Sequence, residues 1–290
     1  MIPGYSAVRI ASALFAAALL CAGELSAQSR FRPPPSYVQA GEPDQAEGAR
    51  LLAEFRSLGI AGDYALEFDL RVMPRRGPER TVSGRMWGAR EDGYDVTLVR
   101  FDGGSQPRAL LFRKGPGGGV WTHDGASQDA HKLGEAEFFA PIAGTDLSAF
   151  DLTMPFLAWF DVVYEGVTNL RGRPAQQFIA YPPEAVAAAH PELTGVRFHL
   201  DAQFNALVQA ELIGENGAVL KTITVLELKR TRDQWVVKTI DVRNDTSRDK
   251  TRFRVTAVAL GISNARAIFQ AAHLPLAPAE IPREQFEKFR

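Results

Sequence analysis

The sequence predicts a mainly β protein of the α+β kind. One strongly curved antiparallel sheet, or incomplete barrel, of about eleven strands would carry helices forming a lid on its concave side. Three observations lead there. In YALEFDLRV, Tyr64, Leu66, Phe68, Leu70 and Val72 alternate with smaller or charged residues, which marks a half-buried strand. Strand candidates then recur at short spacing, separated by turn signals such as REDGY (90–94), GENGA (214–218) and TRDQ (231–234). Finally, a helical insert near 148–160, apolar on nearly every side, interrupts the strands.

In chain order, residues 1–27 read as a secretory signal. Arg9 supplies the positive start, IASALFAAALLCAG the short apolar run, and Ala27 a small residue at the cut before Gln28. An uncleaved anchor and lipid attachment at Cys21 are the alternatives; Leu20 stands where a lipid-attachment motif usually has a small residue. Residues 28–43 form a Pro-rich arm. A helix follows at 44–59, capped by Asp44, with Leu51, Leu52, Phe55 and Leu58 near one face. Strand candidates are 64–72, 80–89, 94–101, 108–113, 119–123, 161–165, 173–181, 196–201, 206–213, 220–229, 235–244 and 251–260. Asn216-Gly217 tolerates positive φ and marks a hairpin. Short helices are expected at 183–190 and 264–272. Residues 44–275 would be a single domain and 276–290 a C-terminal tail.

The net charge of -1 leaves no basic footprint for nucleic acid. Cys21 is the one cysteine, so a chain cut after Ala27 has no disulfide, no thiol catalysis and no cysteine metal site.

The insert IAGTDLSAFDLTMPFLAWF (142–160) combines polar residues with large apolar ones. Ser148 and Asp151 have capping-box spacing, and Thr145 and Asp146 follow Gly144 in a turn, so a structural role accounts for them without catalysis. Pro155 divides the helix into pieces near 148–153 and 155–160. Phe150, Met154, Phe156, Leu157, Trp159 and Phe160 are then either plain core or a wall against a ligand. RKGPGGG (113–119) lacks the ending of a phosphate loop. His123 and His131, with Asp124 and Asp129 between them, match no metal-ligand spacing. No catalytic residue, metal or cofactor is expected.

The order of several segments resembles the outer-membrane lipoprotein-sorting proteins of the LolA/LolB-like superfamily. They are GTDLSAFDL (144–152), GRPAQQFIAYPPE (172–184), the run 196–225, QWVVKTIDVRND (234–245), TRFRVTAVALGIS (251–263) and AIFQAAHL (267–274), a Phe-x(4)-Leu element. The resemblance spans residues 62–275 and implies an open barrel whose apolar interior receives acyl chains in the periplasm, without chemistry. An inward arginine often latches the lid in such carriers; Arg85 and Arg90 lie near the second strand, and neither is assigned. The segment 119–133 is more polar and acidic than the family's usual one.

The sequence therefore supports a periplasmic carrier of lipid or acylated protein, with ligand-binding residues Leu66, Phe68, Leu70 and Leu98 on the concave face and Phe150, Met154, Phe156, Leu157, Trp159 and Phe160 on the lid. Its partners would be an inner-membrane transporter and an outer-membrane acceptor. The alternative is a periplasmic sensor or accessory interaction module of a membrane transporter or envelope-stress complex, using the arm at 31–43 and the tail at 281–290.

Overall fold

The computed structural model describes residues 10–11, 42–102, 108–115, 118–125 and 129–289. Apart from Ile10–Ala11, the expected signal segment lies outside the described residues, as do the Pro-rich arm up to Gly41 and parts of the 113–119 and 123–131 loops.

Strands β1 (Ile10–Ala11), β2 (Asp63–Met73), β3 (Arg80–Glu91), β4 (Tyr94–Asp102), β5 (Ala109–Arg113), β6 (Gly119–His123), β7 (His131–Lys132), β8 (Val162–Leu170), β9 (Arg173–Ala180), β10 (Gly195–Asp201), β11 (Leu207–Ile213), β12 (Val219–Thr231), β13 (Gln234–Asn244), β14 (Lys250–Ile262) and β15 (Glu287–Lys288) form one sheet. Its path runs β7-β6-β5-β4-β3-β2-β14-β13-β12-β11-β10-β9-β8, with β1 and β15 off the path. Neighbours along the path are antiparallel, and its two ends, β7 and β8, do not pair, so the sheet is open. The strand number exceeds about eleven partly because β1, β7 and β15, of two residues each, are too short to show a period. Short hairpins dominate because the turn chemistry is local. Asp92-Gly93 and Asn216-Gly217 all take positive φ between their strands.

Helix α1 (Gln45–Ser57) starts at Asp44, whose carboxylate accepts from the N–H groups of Ala46 and Glu47. It turns Leu52 and Phe55 into the concave side of the sheet. α2 (Ala149–Thr153) and a 3-10 turn (Pro155–Ala158) pack into the same interior, and α3 (Glu184–Ala189) adds Val186. The expected helix at 264–272 is two 3-10 turns, Arg266–Phe269 and Ala271–His273.

The sheet is covered on both faces. The concave face holds the large core, including Leu66, Phe68 and Leu70 of β2 and Phe253, Val255 and Val258 of β14. On the convex face Ala65, Trp87, Ala89, Val96, Leu98, Ala109 and Leu111 are sealed by Phe269 and Leu274, both fully buried. The Phe-x(4)-Leu element is thus a strap across the outside. Arg100 ties it down by donating to the carbonyls of Leu274 and Leu276, each at 2.8 Å.

β13 and β14 form a fork. They pair only through Thr239–Arg243 and Lys250–Arg254; beyond that β13 follows β12 and β14 follows β2. β15 pairs with the β14 branch at Ala257 and Val258, and β1 lies parallel to the β13 branch at Trp235 and Val236. The residues expected to form a tail therefore return to the sheet.

Further round the convex side, alternation brings Glu165, Gln177, Arg197 and His199 together, all buried. Glu165 accepts from Gln177 Nε2 at 2.7 Å and from Arg197 Nε at 3.1 Å, and His199 Nε2 lies 2.9 Å from Gln177 Oε1.

Two outcomes are expected. Gly84 stands opposite Phe68 in the β2–β3 ladder, and a Cβ there would come within 2.5 Å of the Phe68 ring and of the Arg100 carbonyl. Gly84→Val should therefore destabilise the fold by about 3 kcal/mol, read by urea unfolding. Burial, and then the Arg197 charge, push the His199 pKa down to about 4. The unfolded chain protonates this group near its ordinary value while the folded chain does not. Its contribution is thus intact above about pH 6.5 and is lost as pH falls toward 4, by about 3 kcal/mol. His199→Gln should flatten that acid limb in urea midpoints measured from pH 7 to pH 4.

Candidate functional site

The insert 141–160 packs its apolar side chains into the large core of the concave face. Its polar start is structural. Thr145 Oγ1 donates to the Ile142 carbonyl at 2.8 Å and accepts from the Leu147 N–H at 3.0 Å, which closes the turn. Ser148 and Asp151 form the full capping box: the Asp151 carboxylate accepts from the Ser148 N–H at 2.8 Å, and Ser148 Oγ accepts from the Asp151 N–H at 3.2 Å. Burial pushes the Asp146 carboxyl above its ordinary pKa, partly opposed by the Thr251 hydroxyl at 3.2 Å.

The same cap is anchored from the sheet. Lys221 Nζ of β12 lies 2.6 Å from the Asp151 carboxylate and 3.0 Å from the Asp146 carbonyl. Asp151 is fully enclosed, so this pair is desolvated and depends on its added hydrogen bonds. At the other end Arg56 of α1 donates to the backbone carbonyls of Leu157 and Trp159. Burial lowers the Arg56 pKa without removing its charge. Arg80 of β3 reaches the Ala143 and Gly144 carbonyls. Between these anchors Met154 takes φ 43° and ψ 57°, the left-handed region, and Pro155 begins the 3-10 turn. A side chain rarely adopts that conformation without neighbours that enforce it, and here it sets the angle between the two pieces.

The apolar residues of the insert meet each other and the sheet. Phe150 lies 6.0 Å from both Phe156 and Trp159, ring centre to ring centre. Phe156 lies 5.9 Å from Phe198, which stacks on Phe178 at 5.1 Å. Phe139 stacks on Phe150 at 4.3 Å, and Phe68 on Phe253 at 4.8 Å. The protein's own rings therefore fill the interior.

Of the residues singled out from sequence, Leu66, Phe68, Leu70, Phe150, Met154, Phe156 and Trp159 share this interior, and Leu157 packs against it half-buried. Two do not. Leu98 stands opposite Trp87 and faces the convex cluster. β4 is apolar on both faces because both are covered, so alternation cannot choose between Leu98 and Val99, and a one-residue difference reverses the face. Phe160 is 79% exposed, because the turn ends at Trp159 and the chain swings into β8. Arg85 and Arg90 lie on the outer surface, paired with Glu67 and Asp95. The anchors Arg56, Arg80 and Lys221 carry no sequence signal, since their partners are backbone carbonyls or residues far along the chain. Phe138, Phe139, Phe178, Phe198 and Phe253 were equally unmarked, each being an ordinary apolar residue in its own segment.

Among the described residues no group of three His, Cys, Asp or Glu side chains is placed to hold a metal. No helix there is long and apolar enough to cross a membrane. The interior is lined by apolar side chains, and Arg56, Arg80 and Lys221 make backbone and charge contacts at its rim.

A family model described as "uncharacterized protein" matches residues 105–275, more than half of the chain. The chain belongs to that family. No curated protein matches it in sequence. Among solved structures, it is similar to an outer membrane lipoprotein-sorting protein domain from Vibrio parahaemolyticus, with a TM-score of 0.70 and 15% identity over 80% of this chain and 100% of that one. A DUF1329 family protein from Desulfovibrio piger matches with a TM-score of 0.68 and 14% identity over 79% and 98%. A LolA superfamily protein from Nitrosomonas europaea matches with a TM-score of 0.60 and 10% identity over 78% and 98%. The fold is that of the lipoprotein-sorting, LolA-type proteins.

Lys221→Met should leave the enclosed Asp151 carboxylate without its cation and destabilise the protein by about 3 kcal/mol. Urea unfolding at neutral pH reads this, and Lys221→Arg should recover part of the loss.

Proposed function

We propose that the protein is a periplasmic carrier that holds lipid, or the acyl chains of a lipoprotein, in the concave interior under a lid formed by residues 141–160. The observation that carries this reading is how the insert is held. It covers the open side of the sheet with Phe150, Phe156 and Trp159, yet it contributes no strand to the sheet; its one bridge, Pro141 with Ser148, is internal. The side chains of Arg56, Arg80 and Lys221 fasten it at its rim. Lifting it costs ring burial and a few polar contacts and leaves the ladders intact. An acyl chain restores what is lost: each CH2 removed from water contributes about 0.8 kcal/mol, so a dozen or more carbons supply roughly 10 kcal/mol before ordering costs. Cargo would lie against Leu66, Phe68 and Leu70 on one side and the underside of the insert on the other.

The reading involves no bond-making step and no cofactor. It implies an inner-membrane donor and an outer-membrane acceptor as partners, and export through the segment 1–27. A second reading, an interaction module of a transporter or envelope-stress complex, draws on Phe160, which is exposed at the end of the insert and offers an apolar contact to another protein.

Solvent extraction of protein purified from membrane-containing cells should yield bound lipid, and a fluorescent fatty acid should bind the emptied protein. Phe156→Asp with Trp159→Asp should abolish that binding in a variant that keeps its far-UV circular dichroism. Unchanged binding in the folded double variant would make the insert ordinary core. A single protein crosslinked through position 160, with no lipid inside, would favour the second reading.

A further inference from the structure

The fork between β13 and β14 is a gap in the wall of the sheet, and it lies away from the insert. Below the fork the two strands are joined by a full ladder from Thr239 to Arg243. Above it, neither strand pairs with the other. A wall of this kind normally stays closed, because bare N–H and C=O groups next to an apolar interior are costly.

Here two segments of the chain itself enter the gap: β1 lies along the β13 branch at Trp235 and Val236, within the stretch expected to be cleaved after Ala27, and the C-terminal end lies along the β14 branch. After crossing the convex face, residues 283–289 turn back and β15 pairs with β14, Lys288 opposite Ala257 and Glu287 opposite Val258. The Phe289 N–H donates to the Thr256 carbonyl at 2.8 Å. The Phe289 side chain is 7% exposed and joins the interior core, the same core as Phe68, Phe150 and Phe156. A residue that arrives from the outside of the sheet therefore ends among the rings inside it. Side chains also span the mouth of the fork: Arg232 donates to the Leu260 carbonyl at 2.8 Å, and the Gln234 amide exchanges bonds with the Ala61 backbone. Outside this mouth, a cleft of about 520 Å³ lies between Leu260–Ala265 and the returning segment Pro278–Pro282, with Trp87 and Ile268 in its lining.

We propose that the fork is a side portal to the interior, that residues 283–289 are its removable plug, and that a single acyl chain passes through it with the outer cleft as its approach. The inference rests on the carrier reading and adds a route to it. Three features support it. The plug is held to β14 by a two-residue strand and one further backbone bond, with Phe286 half-buried on the convex cluster, against eleven registered pairs between β14 and β2. Its inserted group is a lone phenyl ring, which an acyl terminus replaces with like surface. The cleft outside has the size of a small-molecule site, and its lining sets the apolar Trp87, Ile268 and Ile281 beside the charged Arg232 and Glu280, an apolar approach with a polar edge for a head group.

A disulfide can test the plug. Position 21 holds the one native cysteine, so Cys21→Ser gives a clean background. Ala257→Cys with Lys288→Cys then places two thiols at registered positions of neighbouring antiparallel strands. Uptake of a dansyl-labelled undecanoic acid is followed by stopped-flow fluorescence, with crosslinking confirmed on a non-reducing gel. The expected result is uptake at least tenfold slower in the oxidised form, restored by dithiothreitol. Phe289→Ser, with no crosslink, should raise the rate. Equal rates in the oxidised and reduced forms would overturn the portal while leaving the carrier intact. No uptake by either form or by the wild-type protein would instead overturn the carrier reading, and the portal with it.

Discussion

The inner face of a strongly curled sheet must be filled, and that requirement organises the molecule. Strands β2 to β6 and β8 to β14 together bring more apolar surface to the concave side than the strands themselves can cover. An unfilled interior would forfeit the dispersion contacts of every ring lining it. The chain responds with the inner face of α1 and the rings of the insert, which belong to no ladder, and with Phe289 at the end of the two-residue β15. Each is apolar where it meets the sheet and polar where it is fastened.

Such a filling is held by side-chain burial and not by a ladder. Burying a large apolar side chain contributes about 2–3 kcal/mol, comparable to three or four methylenes of a lipid tail. Under the proposed carrier function, rings of the insert and an acyl chain would compete for one space on nearly equal terms, with the polar fastenings at the rim deciding the balance. Lys221 with Asp151, Arg56 with two carbonyls, and the left-handed Met154 lie at the ends and the bend of the insert. They give it defined attachment points and one angle between its halves. The convex face follows the same physics with a different filling, since Phe269 and Leu274 seal Trp87 and Leu98 there.

Much of this was legible in the sequence because it is local. The period of two in residues 64–72, the Asp-Gly and Asn-Gly turns, the Asp44 cap and the Ser148–Asp151 box each draw on neighbours a few residues away. They identify strands, hairpins and a broken helix whatever the rest of the chain does. The same locality explains the errors. Leu98 was assigned to the inner face because an apolar strand covered on both sides carries no alternation to read, and Phe160 to the inward side of the insert because nothing nearby signals the swing into β8.

The sequence by itself determined the class of fold, the position of the insert and the structural role of its acids, because periodicity and capping are short-range. Only the tertiary structure decided which face each strand shows to the interior, which cations hold the insert, and that the C-terminal residues re-enter the wall. Those outcomes depend on pairs such as Arg56 with Trp159, Lys221 with Asp151 and Phe289 with Thr256. Each joins residues distant along the chain, or a side chain to a carbonyl that every residue possesses. No residue type marks such a contact in advance; the curvature of the sheet brings its members together.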